Sequence, residues 1–430
     1  MPQAPRDPRI SRLGHLRQRD LGVFGLVLAL VVAGCGDSGS SPADPDEVPT
    51  IEISGVEDGA IYTQPVTVTF TASPPGSTTS ATLNGETFRS GDTVDRAGAY
   101  TLRVEAFRAG RSSEKEVSFS LEVTGERVFI LRMFDLGEEG LGGGGDALLL
   151  SDSSSLGMRH AMVDAGPRGD PGQALNHDYV VDQLQELGVE TLDFLQLTHA
   201  HSDHFEGMRP ILNRVEVERF IYNGQVRTGG FAGSNYQAVL QRAEQRADSV
   251  MALSQEWEYR LGGEGGTRTV HVPGLPTYLD RDTNDGRELN EGSLGTYVET
   301  GGVRIFLTGD GEDQANQRWR SQLAQYTADL DILKVGHHGA NNAVFDDRVG
   351  SSTQSTWLEH TRPALMLITA NGRSHPRIRA LNRLFQVQQA EMYCTNVHGT
   401  VTVRIAEGWW EVTTERNSEM DCIPGDDATT

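Results

Sequence analysis

The stretch Thr198-His199-Ala200-His201-Ser202-Asp203-His204 places three imidazoles and one carboxylate within six residues. It follows directly on Leu192-Asp-Phe-Leu-Gln-Leu197, an apolar segment typical of a buried β-strand. A loop at the end of a strand can point all four side chains towards one place. Divalent transition metals prefer such neutral imidazole nitrogens and carboxylate oxygens as ligands. Because Asp203 and His204 are adjacent and must diverge, the motif favours two metal ions rather than one.

Length and composition indicate a soluble protein of two or three domains. The chain has 430 residues, 49 of them glycine, and 23% of its residues are charged. Its net charge of -23 argues against broad, nonspecific affinity for nucleic acid, because that affinity depends on neutralising phosphates. A local basic patch is still compatible with this charge. Lys115 and Lys334 are the only lysines, so arginine carries almost all of the positive charge.

The N-terminus has the pattern of an export signal. Five arginines precede an apolar run over residues 21–33, which is too short to span a bilayer comfortably but suits the core of a signal peptide. The run closes with Val32-Ala33-Gly34-Cys35, which resembles a bacterial lipoprotein cleavage box. That resemblance implies cleavage before Cys35, its diacylation, and attachment of the mature protein to the bacterial cell envelope by lipid alone, on the periplasmic or extracellular face. The alternative is an ordinary secretory signal in which Cys35 is incidental.

Three regions follow residues 1–35, the predicted signal segment with its acylated cysteine. Residues 36–49 are rich in Gly, Ser, Pro and Asp, which predicts a flexible linker. Residues 50–125 alternate polar and apolar side chains between turn signals, which predicts a small all-β sandwich that resembles immunoglobulin-like modules. Residues 127–413 alternate strands and helices and contain every chemical motif. Residues 414–430 form a C-terminal tail, in which Cys422 either bridges to Cys394 or stays a free thiol.

Within residues 127–413 the pattern predicts an α/β domain in which two sheets pack between helices. Amphipathic helices are predicted over 176–187 and 234–250, the second with a capping box formed by Ser234 and Gln237. Strands are predicted at the apolar segments 128–134, 147–150, 160–163, 296–299, 303–307, 331–335 and 364–369.

Further motifs accompany the histidine-rich loop in a fixed order along the chain. They are Gly144-Gly145-Asp146-Ala147, Val163-Asp164-Ala165-Gly166, Phe306-Leu-Thr-Gly309-Asp310-Gly311 and Leu333-Lys334-Val335-Gly336-His337-His338-Gly339. This order resembles that of metallo-β-lactamase-fold hydrolases over nearly all of residues 127–412. The last motif is similar to the L-K-V-x-H-H-G-S pattern of the competence-protein (ComEC-like) subgroup. The resemblance implies an αββα metallo-β-lactamase sandwich preceded by the small immunoglobulin-like sandwich, and a site for two divalent metal ions.

The same resemblance implies roles for individual residues. Asp310 would bridge the two ions, which are expected to be zinc, with manganese as the alternative. His337 is preferred to His338 as a ligand, and His338 would instead contact substrate or solvent. The expected metal ligands are His199, His201, Asp203, His204, Asp310 and His337. The expected supporting residues behind them are Asp164, Asn290 and Ser293.

One departure from the family pattern concerns the first metal ion. Many members carry another histidine between the first motif and the bridging aspartate. His271 is the only histidine in that interval, and its surroundings Thr269-Val-His-Val272 are typical of an ordinary strand. The first site, formed by His199, His201 and Asp310, is therefore expected to lack a third histidine.

The segment Asn371-Gly372-Arg373-Ser374-His375-Pro376 is similar to an N-x-x-x-H-P segment of these domains. It implies a catalytic role for His375 as a general acid or phosphate donor, beside Asp203 and His338. Arginine forks suit phosphate, so Arg373 and Arg377 are expected to bind substrate.

Three functions compete on these observations. The first is an exported metal-dependent hydrolase of a phosphodiester, either a small molecule or a nucleic acid, with no oligomeric state specified. The second is a hydrolase of a carbonyl substrate such as a β-lactam or lactone, which the missing histidine disfavours. The third is a surface-binding lipoprotein with weak or no catalysis.

Overall fold

The structure is a computed structural model of the whole chain. It describes residues 47–122, 127–136, 144–155, 157–167, 178–279, 282–347, 351–370, 373–387, 390–416 and 419–425. The predicted signal segment with Cys35, and residues 36–46 of the predicted linker, lie outside these described residues. Among the described residues, no helix has both the length and the apolar character needed to cross a membrane.

Nine strands within residues 50–121 form an N-terminal β-domain. They are arranged as a five-stranded sheet in the order β2-β9-β8-β5-β6 and two two-stranded sheets, β1-β4 and β3-β7. Their alternating burial surrounds one apolar core that includes Val68, Leu102 and Phe119. The strands are β1 Thr50–Ser54, β2 Ala60–Tyr62, β3 Val66–Thr67, β4 Thr69–Ser73, β5 Thr78–Leu83, β6 Glu86–Thr87, β7 Thr93–Val94, β8 Gly98–Arg108 and β9 Arg111–Leu121.

Sixteen further strands form two larger sheets. One sheet has nine strands in the order β13-β15-β14-β12-β11-β10-β24-β25, with β16 also paired to β15, and the other has the order β17-β18-β19-β20-β21-β22-β23. The strands of the first are β10 Phe129–Met133, β11 Leu148–Ser155, β12 Gly157–Val163, β13 Thr191–Leu192, β14 Leu195–Leu197, β15 Glu216–Tyr222, β16 Ala247–Ala252, β24 Val401–Ala406 and β25 Trp409–Thr414. Those of the second are β17 Trp257–Leu261, β18 Thr267–Val272, β19 Gly295–Thr300, β20 Val303–Leu307, β21 Ile332–Lys334, β22 Leu365–Ile368 and β23 Glu391–Cys394.

Helices cover the outer faces of both sheets. They are α1 Tyr179–Glu186, α2 Ser202–Phe205, α3 Met208–Arg214, α4 Gly230–Arg246, α5 Gly286–Glu291, α6 Asp313–Gln322, α7 Ala324–Thr327, α8 Asn341–Val344, α9 Thr356–Thr361, α10 Ile378–Leu384 and α11 Thr395–His398. Short 3-10 helices span Pro276–Tyr278 and Gly336–Gly339.

The two large sheets and their helices form four layers. Leu131, Ile305 and Leu367 belong to a single buried cluster that lies between the sheets. A second cluster joins the nine-stranded sheet to α1, α3 and α4, and a third joins the seven-stranded sheet to α6, α9 and α10. Sheets that bury both faces read as continuous apolar runs, which is the pattern seen in Leu148-Leu-Leu150 and Leu365-Met-Leu-Ile368.

The predicted boundaries of the second helix are wrong. Helix α4 begins at Gly230, four residues before the predicted start, and ends at Arg246. Ser234 therefore lies inside the helix, where its hydroxyl donates to the Gly230 carbonyl, and no capping box forms. Residues 247–250, predicted as helix, belong to β16, because parallel pairing with β15 overrides their helical periodicity.

Cys394 and Cys422 form a disulfide with a Cα–Cα distance of 5.7 Å. Of the two alternatives open from the sequence, the bridge is the one found. It joins the end of β23 to the C-terminal segment, 28 residues further along the chain.

A cluster of partly buried charges around the buried Asp193 joins the N-terminal β-domain to the four-layer domain. The Arg96 guanidinium lies 2.6 Å from Glu218 and 3.2 Å from Asp193, and it also donates to the Tyr259 hydroxyl at 2.6 Å. In the opposite direction, Arg159 of the four-layer domain reaches Asp95 at 3.1 Å. Because charges removed from water must be paired, these contacts hold the two domains in one orientation.

We expect Arg96→Ala to destabilise the four-layer domain although Arg96 lies outside it. Asp193 and Glu218 would keep Arg159 as a partner but lose one of their cations, so the free energy of unfolding should fall by about 1 to 2 kcal/mol. All five tryptophans lie after residue 250, so urea unfolding followed by tryptophan fluorescence reports on the four-layer domain alone.

The matched control is Arg103→Ala, which removes an exposed arginine of the β-domain that pairs with Glu114 at 2.6 Å. An exposed ion pair contributes at most about 1 kcal/mol, so this midpoint should barely move. Equal decreases in the free energy of unfolding for Arg96→Ala and Arg103→Ala would contradict the stabilisation of the four-layer domain by Arg96.

Candidate metal centre

The site lies where parallel strands of both sheets end. Strands β12, β14 and β15 are parallel neighbours in one sheet, and β20, β21 and β22 are parallel neighbours in the other. Asp164 follows β12, His199 follows β14, and Asp310 follows β20. The carboxyl ends of parallel strands share one edge, where ligand sites of open α/β sheets are found. The two sheets therefore supply side chains to a common place.

The histidine-rich loop turns directly from β14 into α2. His199 is fully buried, and its Nε2 lies 2.9 Å from His201 Nδ1. Asp203 and His204 are consecutive residues of α2, so their side chains diverge as the sequence predicted. This loop supplies ligands to two groups.

Asp310 is the carboxylate that both groups share. One of its oxygens, Oδ2, lies 3.2 Å from His204 Nε2, 3.3 Å from His338 Nε2 and 3.8 Å from His199 Nε2. The preceding Gly309 has φ +54°, and a Cβ there would lie 2.8 Å from the Thr198 side chain. Glycine is therefore required for Asp310 to approach the histidine-rich loop.

The potential ligand atoms form two groups, in each of which all atoms lie within 4.8 Å of one another. The first group is His199, His201 and Asp310, and the second is Asp203, His204, Asp310 and His338. These sets match the expected division of the loop between two cations.

The structure reverses the expected roles of the two adjacent histidines, His337 and His338. His338 Nε2 points at Asp310 and lies 3.6 Å from Asp203, whereas His337 Nδ1 lies 3.0 Å from Glu312. Both histidines have left-handed backbones, with φ of 45° and 52°. This conformation is sterically costly outside glycine, and it sends the two side chains in different directions. His338 is therefore the ligand candidate, and His337 lies beside the ligands.

Asp164 buttresses the ligand loop as expected. Its carboxylate accepts hydrogen bonds from the Thr198 amide at 2.8 Å and the Thr198 hydroxyl at 2.7 Å. It also lies 2.7 Å from His204 Nδ1, which orients the opposite nitrogen of that ring towards Asp310. Asp164 adopts φ 57°, a left-handed conformation that a single aspartate tolerates.

Asp146 and Lys334 lie directly behind the candidate ligands, although no role was predicted for them. Lys334 is fully buried; its ammonium contacts Asp146, donates to the Gly309 carbonyl at 2.9 Å and lies 3.8 Å from Asp310. The Thr369 hydroxyl donates to Asp146 at 2.5 Å and lies 3.0 Å from His338 Nδ1. Both residues belong to motifs quoted above. A buried ion pair between residues so far apart in the chain cannot be predicted from a local sequence pattern.

Asn290 and Ser293 contact the site at different points. The Ser293 hydroxyl accepts a hydrogen bond from the Asp310 amide at 3.3 Å. It therefore supports the backbone of the residue that carries the shared carboxylate. Asn290 donates to Glu312 at 2.7 Å and lies 3.3 Å from His337 Nδ1. It therefore supports His337 rather than a member of the two ligand groups.

Opposing charges dominate the second group. Burial alone would lower the pKa of His204, but the facing Asp310 and Asp164 carboxylates raise it well above its usual range. The same balance raises the pKa of His338 to about 9. Burial would raise the pKa of Asp310, but the His338 and His204 imidazoles hold it well below its usual range. The cluster therefore favours positive charge at its centre.

The first group behaves differently because imidazoles outnumber carboxylates there. Burial and the neighbouring His204 bring the pKa of His199 well below 6.5. Burial likewise lowers the pKa of His201 to about 4, although Asp203 acts in the opposite direction. Both rings are thus neutral near pH 7, which is the form that binds a metal ion.

The donor set fits divalent cations. His204 Nε2 and His338 Nε2 are buried ring nitrogens without a hydrogen-bond partner among the described residues, and both face Asp310. Buried polar atoms are rarely left unpaired, so the convergence of these two nitrogens on one carboxylate fits the binding of a cation. Imidazole and carboxylate together suit zinc or manganese rather than magnesium or calcium.

His375 lies near the second group. The arginines before and after it differ in their exposure and in their contacts. The His375 ring centroid lies 5.3 Å from that of His337 and 6.1 Å from that of His338. Arg373 is exposed and Arg377 is half-buried. Asn371, which opens the predicted motif, lies outside the described residues. Two further arginines of that segment are engaged elsewhere, Arg379 with the carbonyls of residues 351 and 352 and Arg383 with Glu359.

His271 is a strand residue, as its sequence context indicated. It is fully buried in β18, where its Nδ1 contacts the Gln196 side chain and its ring packs edge-on against Phe194 at 4.8 Å. It belongs to neither ligand group, so the first group has two histidines among the described residues.

Comparisons with known proteins agree with this geometry. Residues 149–348 match the family model described as the metallo-beta-lactamase superfamily. The chain is 26% identical to ComE operon protein 3 of Bacillus subtilis (strain 168) over 233 residues. This match covers 54% of the chain. The matched part spans 27% of that relative, about a quarter of its length.

Two solved structures are similar to this chain at low TM-score and low identity. A mutant of CmlA beta-hydroxylase has a TM-score of 0.40 and 13% identity, and the match covers 76% of each chain. A diphosphatase of the PhnP family has a TM-score of 0.37 and 11% identity, covering 67% of this chain and all of its own.

The four-layer fold and the paired ligand groups define a binuclear metallohydrolase architecture. The chain contains a metallo-beta-lactamase superfamily domain. The predicted fold class and the predicted enzyme class, a metallohydrolase of this superfamily, are confirmed.

We expect His338→Asn and His337→Asn to differ in metal content. After reconstitution with zinc and removal of excess metal, the His338 variant should retain about half of the wild-type zinc, because one ligand of the second group is lost. The His337 variant should keep the wild-type amount and serves as the matched control. Plasma mass spectrometry of the purified proteins measures both, and zinc loss confined to the His337 variant would reverse the assignment.

Proposed function

We propose that this protein is an exported, metal-dependent phosphodiesterase of the nuclease or small-molecule type. The observation that carries the proposal is the convergence of two ligand groups on Asp310. Asp310, with histidines on either side, would hold two cations together with them, and paired cations of this kind support in-line displacement at phosphorus. Zinc is the proposed metal, with manganese as the alternative.

The bound cations would supply Lewis acidity, which lowers the pKa of a water molecule and offsets charge that develops on the substrate oxygens. The protein's own residues would hold and orient the reactants. Asp203 has a carboxylate whose pKa is held well below its usual range, since His204 and His338 outweigh the effect of burial. It therefore stays ionised and can accept a proton or a hydrogen bond from the attacking water. Its side chain is 31% exposed, so it can contact substrate.

His375 would act as a hydrogen-bonding group for the substrate. Burial lowers its pKa to about 3, and the neighbouring His337 acts in the same direction. The ring is therefore neutral at pH 7, which favours donation of one N–H hydrogen bond over transfer of a proton. Of the two roles predicted for His375, a hydrogen-bond donor to the phosphate is thus better supported than a general acid.

The ligand set favours a phosphodiester over a carbonyl substrate. The first group contains only His199, His201 and Asp310 among the described residues, and His271 does not complete it. An incomplete shell leaves coordination positions for the oxygens of a phosphodiester. The half-buried Arg377, whose charge acts on His375, adds a positive group near the second ligand group.

Three substrates separate the competing functions. We expect hydrolysis of bis(p-nitrophenyl) phosphate and of single-stranded DNA after zinc or manganese reconstitution, loss of activity in EDTA, and no turnover of nitrocefin. Asp203→Ala and Asp310→Ala should each reduce kcat/KM by more than about 100-fold, because a ligand matters more than the residues that support it. Asp248→Ala, which removes an exposed carboxylate in β16, is the matched control.

If the protein hydrolyses nitrocefin but neither phosphodiester, its substrate is a carbonyl compound instead. An inactive wild type that binds no metal would leave the surface-binding lipoprotein as the function. Activity that survives the Asp310→Ala change would refute the shared-carboxylate mechanism.

We also propose that Cys35 is diacylated and anchors the protein to the cell envelope. The supporting observation is the sequence of residues 21–35, a short apolar run that ends in a lipoprotein-like cleavage box. After expression in a bacterial host, the wild type should enter the detergent phase of a Triton X-114 partition, and Cys35→Ser should remain in the aqueous phase. A wild type found in the aqueous phase would indicate an ordinary secretory signal.

A further inference from the structure

The loop that follows β15 brings an arginine to the histidine-rich loop. Gln225 accepts a hydrogen bond from the Ala200 amide at 3.1 Å, and Arg227 donates through Nη1 to the Ala200 carbonyl at 2.6 Å. Ala200 lies between His199 and His201, so the Arg227 guanidinium is bound to the backbone that carries the first ligand group. No sequence pattern marked Arg227 as a functional residue.

Two further contacts fix the orientation of this side chain. Arg227 Nε donates to Asn284 at 3.3 Å, and the Arg227 carbonyl accepts from Gln237 at 3.0 Å. The segment that carries Asn284 borders the same site, since a Cβ at Gly286 would lie 3.4 Å from His201 Nε2. Nη2, at the other end of the guanidinium, has no hydrogen-bond partner among the described residues.

The electrostatic surroundings of this guanidinium include a carboxylate of the second ligand group, Asp203. Burial lowers the pKa of Arg227, while the charges of Asp203 and Glu206 raise it. The group stays protonated at neutral pH, since arginine does not lose its proton in proteins. A half-buried cation with one end fixed and the other unpaired is prepared for an anion. Lys334, the other cation near the ligands, is fully buried and already engaged with Asp146.

We propose that Arg227 binds a non-bridging phosphate oxygen of the substrate through Nη2, next to the first ligand group. This inference deepens the proposed phosphodiesterase function and rests on it for the identity of the substrate. Arg227 would thus supply positive charge for the substrate on the same side as His199 and His201. It would select anionic phosphodiesters over neutral esters.

The kinetic test compares Arg227→Ala, Arg227→Lys and the wild type, all reconstituted with zinc. With bis(p-nitrophenyl) phosphate, the loss of a charge-assisted hydrogen bond should raise KM by about 10-fold to 100-fold in Arg227→Ala. kcat and zinc content should change less than about threefold, and Arg227→Lys should fall between. Arg242→Ala, near the other end of α4, removes the same charge and should leave KM unchanged.

A binding test without turnover separates this inference from the proposed function. Calorimetric titration with the dinucleotide TpT should show weaker binding to Arg227→Ala than to the wild type, whether or not TpT is hydrolysed. An active wild type whose KM and TpT affinity survive Arg227→Ala overturns the inference and leaves the function standing. An inactive wild type that binds TpT through Arg227 overturns the function alone.

Two other outcomes also overturn the inference. Loss of zinc together with kcat in Arg227→Ala and Arg227→Lys would show that Arg227 only braces the histidine-rich loop. A wild type that neither hydrolyses a phosphodiester nor binds TpT would remove both the inference and the function.

Discussion

The contact of one buried carboxylate with imidazoles from both sheets is the interaction on which the site depends. Asp310 follows a strand of the seven-stranded sheet, and His204 follows a strand of the nine-stranded sheet. Their 3.2 Å approach requires the sheets to pack face to face with the relevant strand ends at one edge. The long apolar interior between the sheets is therefore what positions the chemistry, although it contains none of the reactive groups. A carboxylate buried this deeply is tolerated only because its positive partners are equally fixed.

Behind the ligands, the protein uses fixed charges and backbone strain to hold them. Lys334 neutralises Asp146, and Asp146 in turn is connected through Thr369 to His338. Three residues of the site, Asp164, His337 and His338, adopt left-handed backbones that cost free energy unless the surroundings impose them. At these three positions the strained backbone determines the direction of a side chain in or beside the ligand groups. The N-terminal β-domain adds to this rigidity, since its Arg96 shares a charge cluster with residues of the nine-stranded sheet.

Local patterns were sufficient to predict the fold class and most of the ligand loop. Continuous apolar runs marked the buried strands, and the spacing of His199, His201, Asp203 and His204 marked the metal site. The preference for His337 over His338 as a ligand was wrong, because both follow the same strand and only their backbone conformations separate them. The end of α4 was misplaced, since pairing of β16 with β15 is a tertiary effect. Arg227 and Asp146 were missed because their partners lie distant in the sequence.

The distribution of lysine has a practical consequence for labelling. Of the two lysines, Lys334 is fully buried and engaged as a counter-ion, whereas Lys115 is exposed on β9. Arginine supplies the remaining fixed positive charge and does not react as an amine does. The protein therefore presents one accessible lysine amine, and that amine lies on the N-terminal β-domain. A fluorophore coupled there would report on the orientation of this domain while leaving the metal centre chemically untouched.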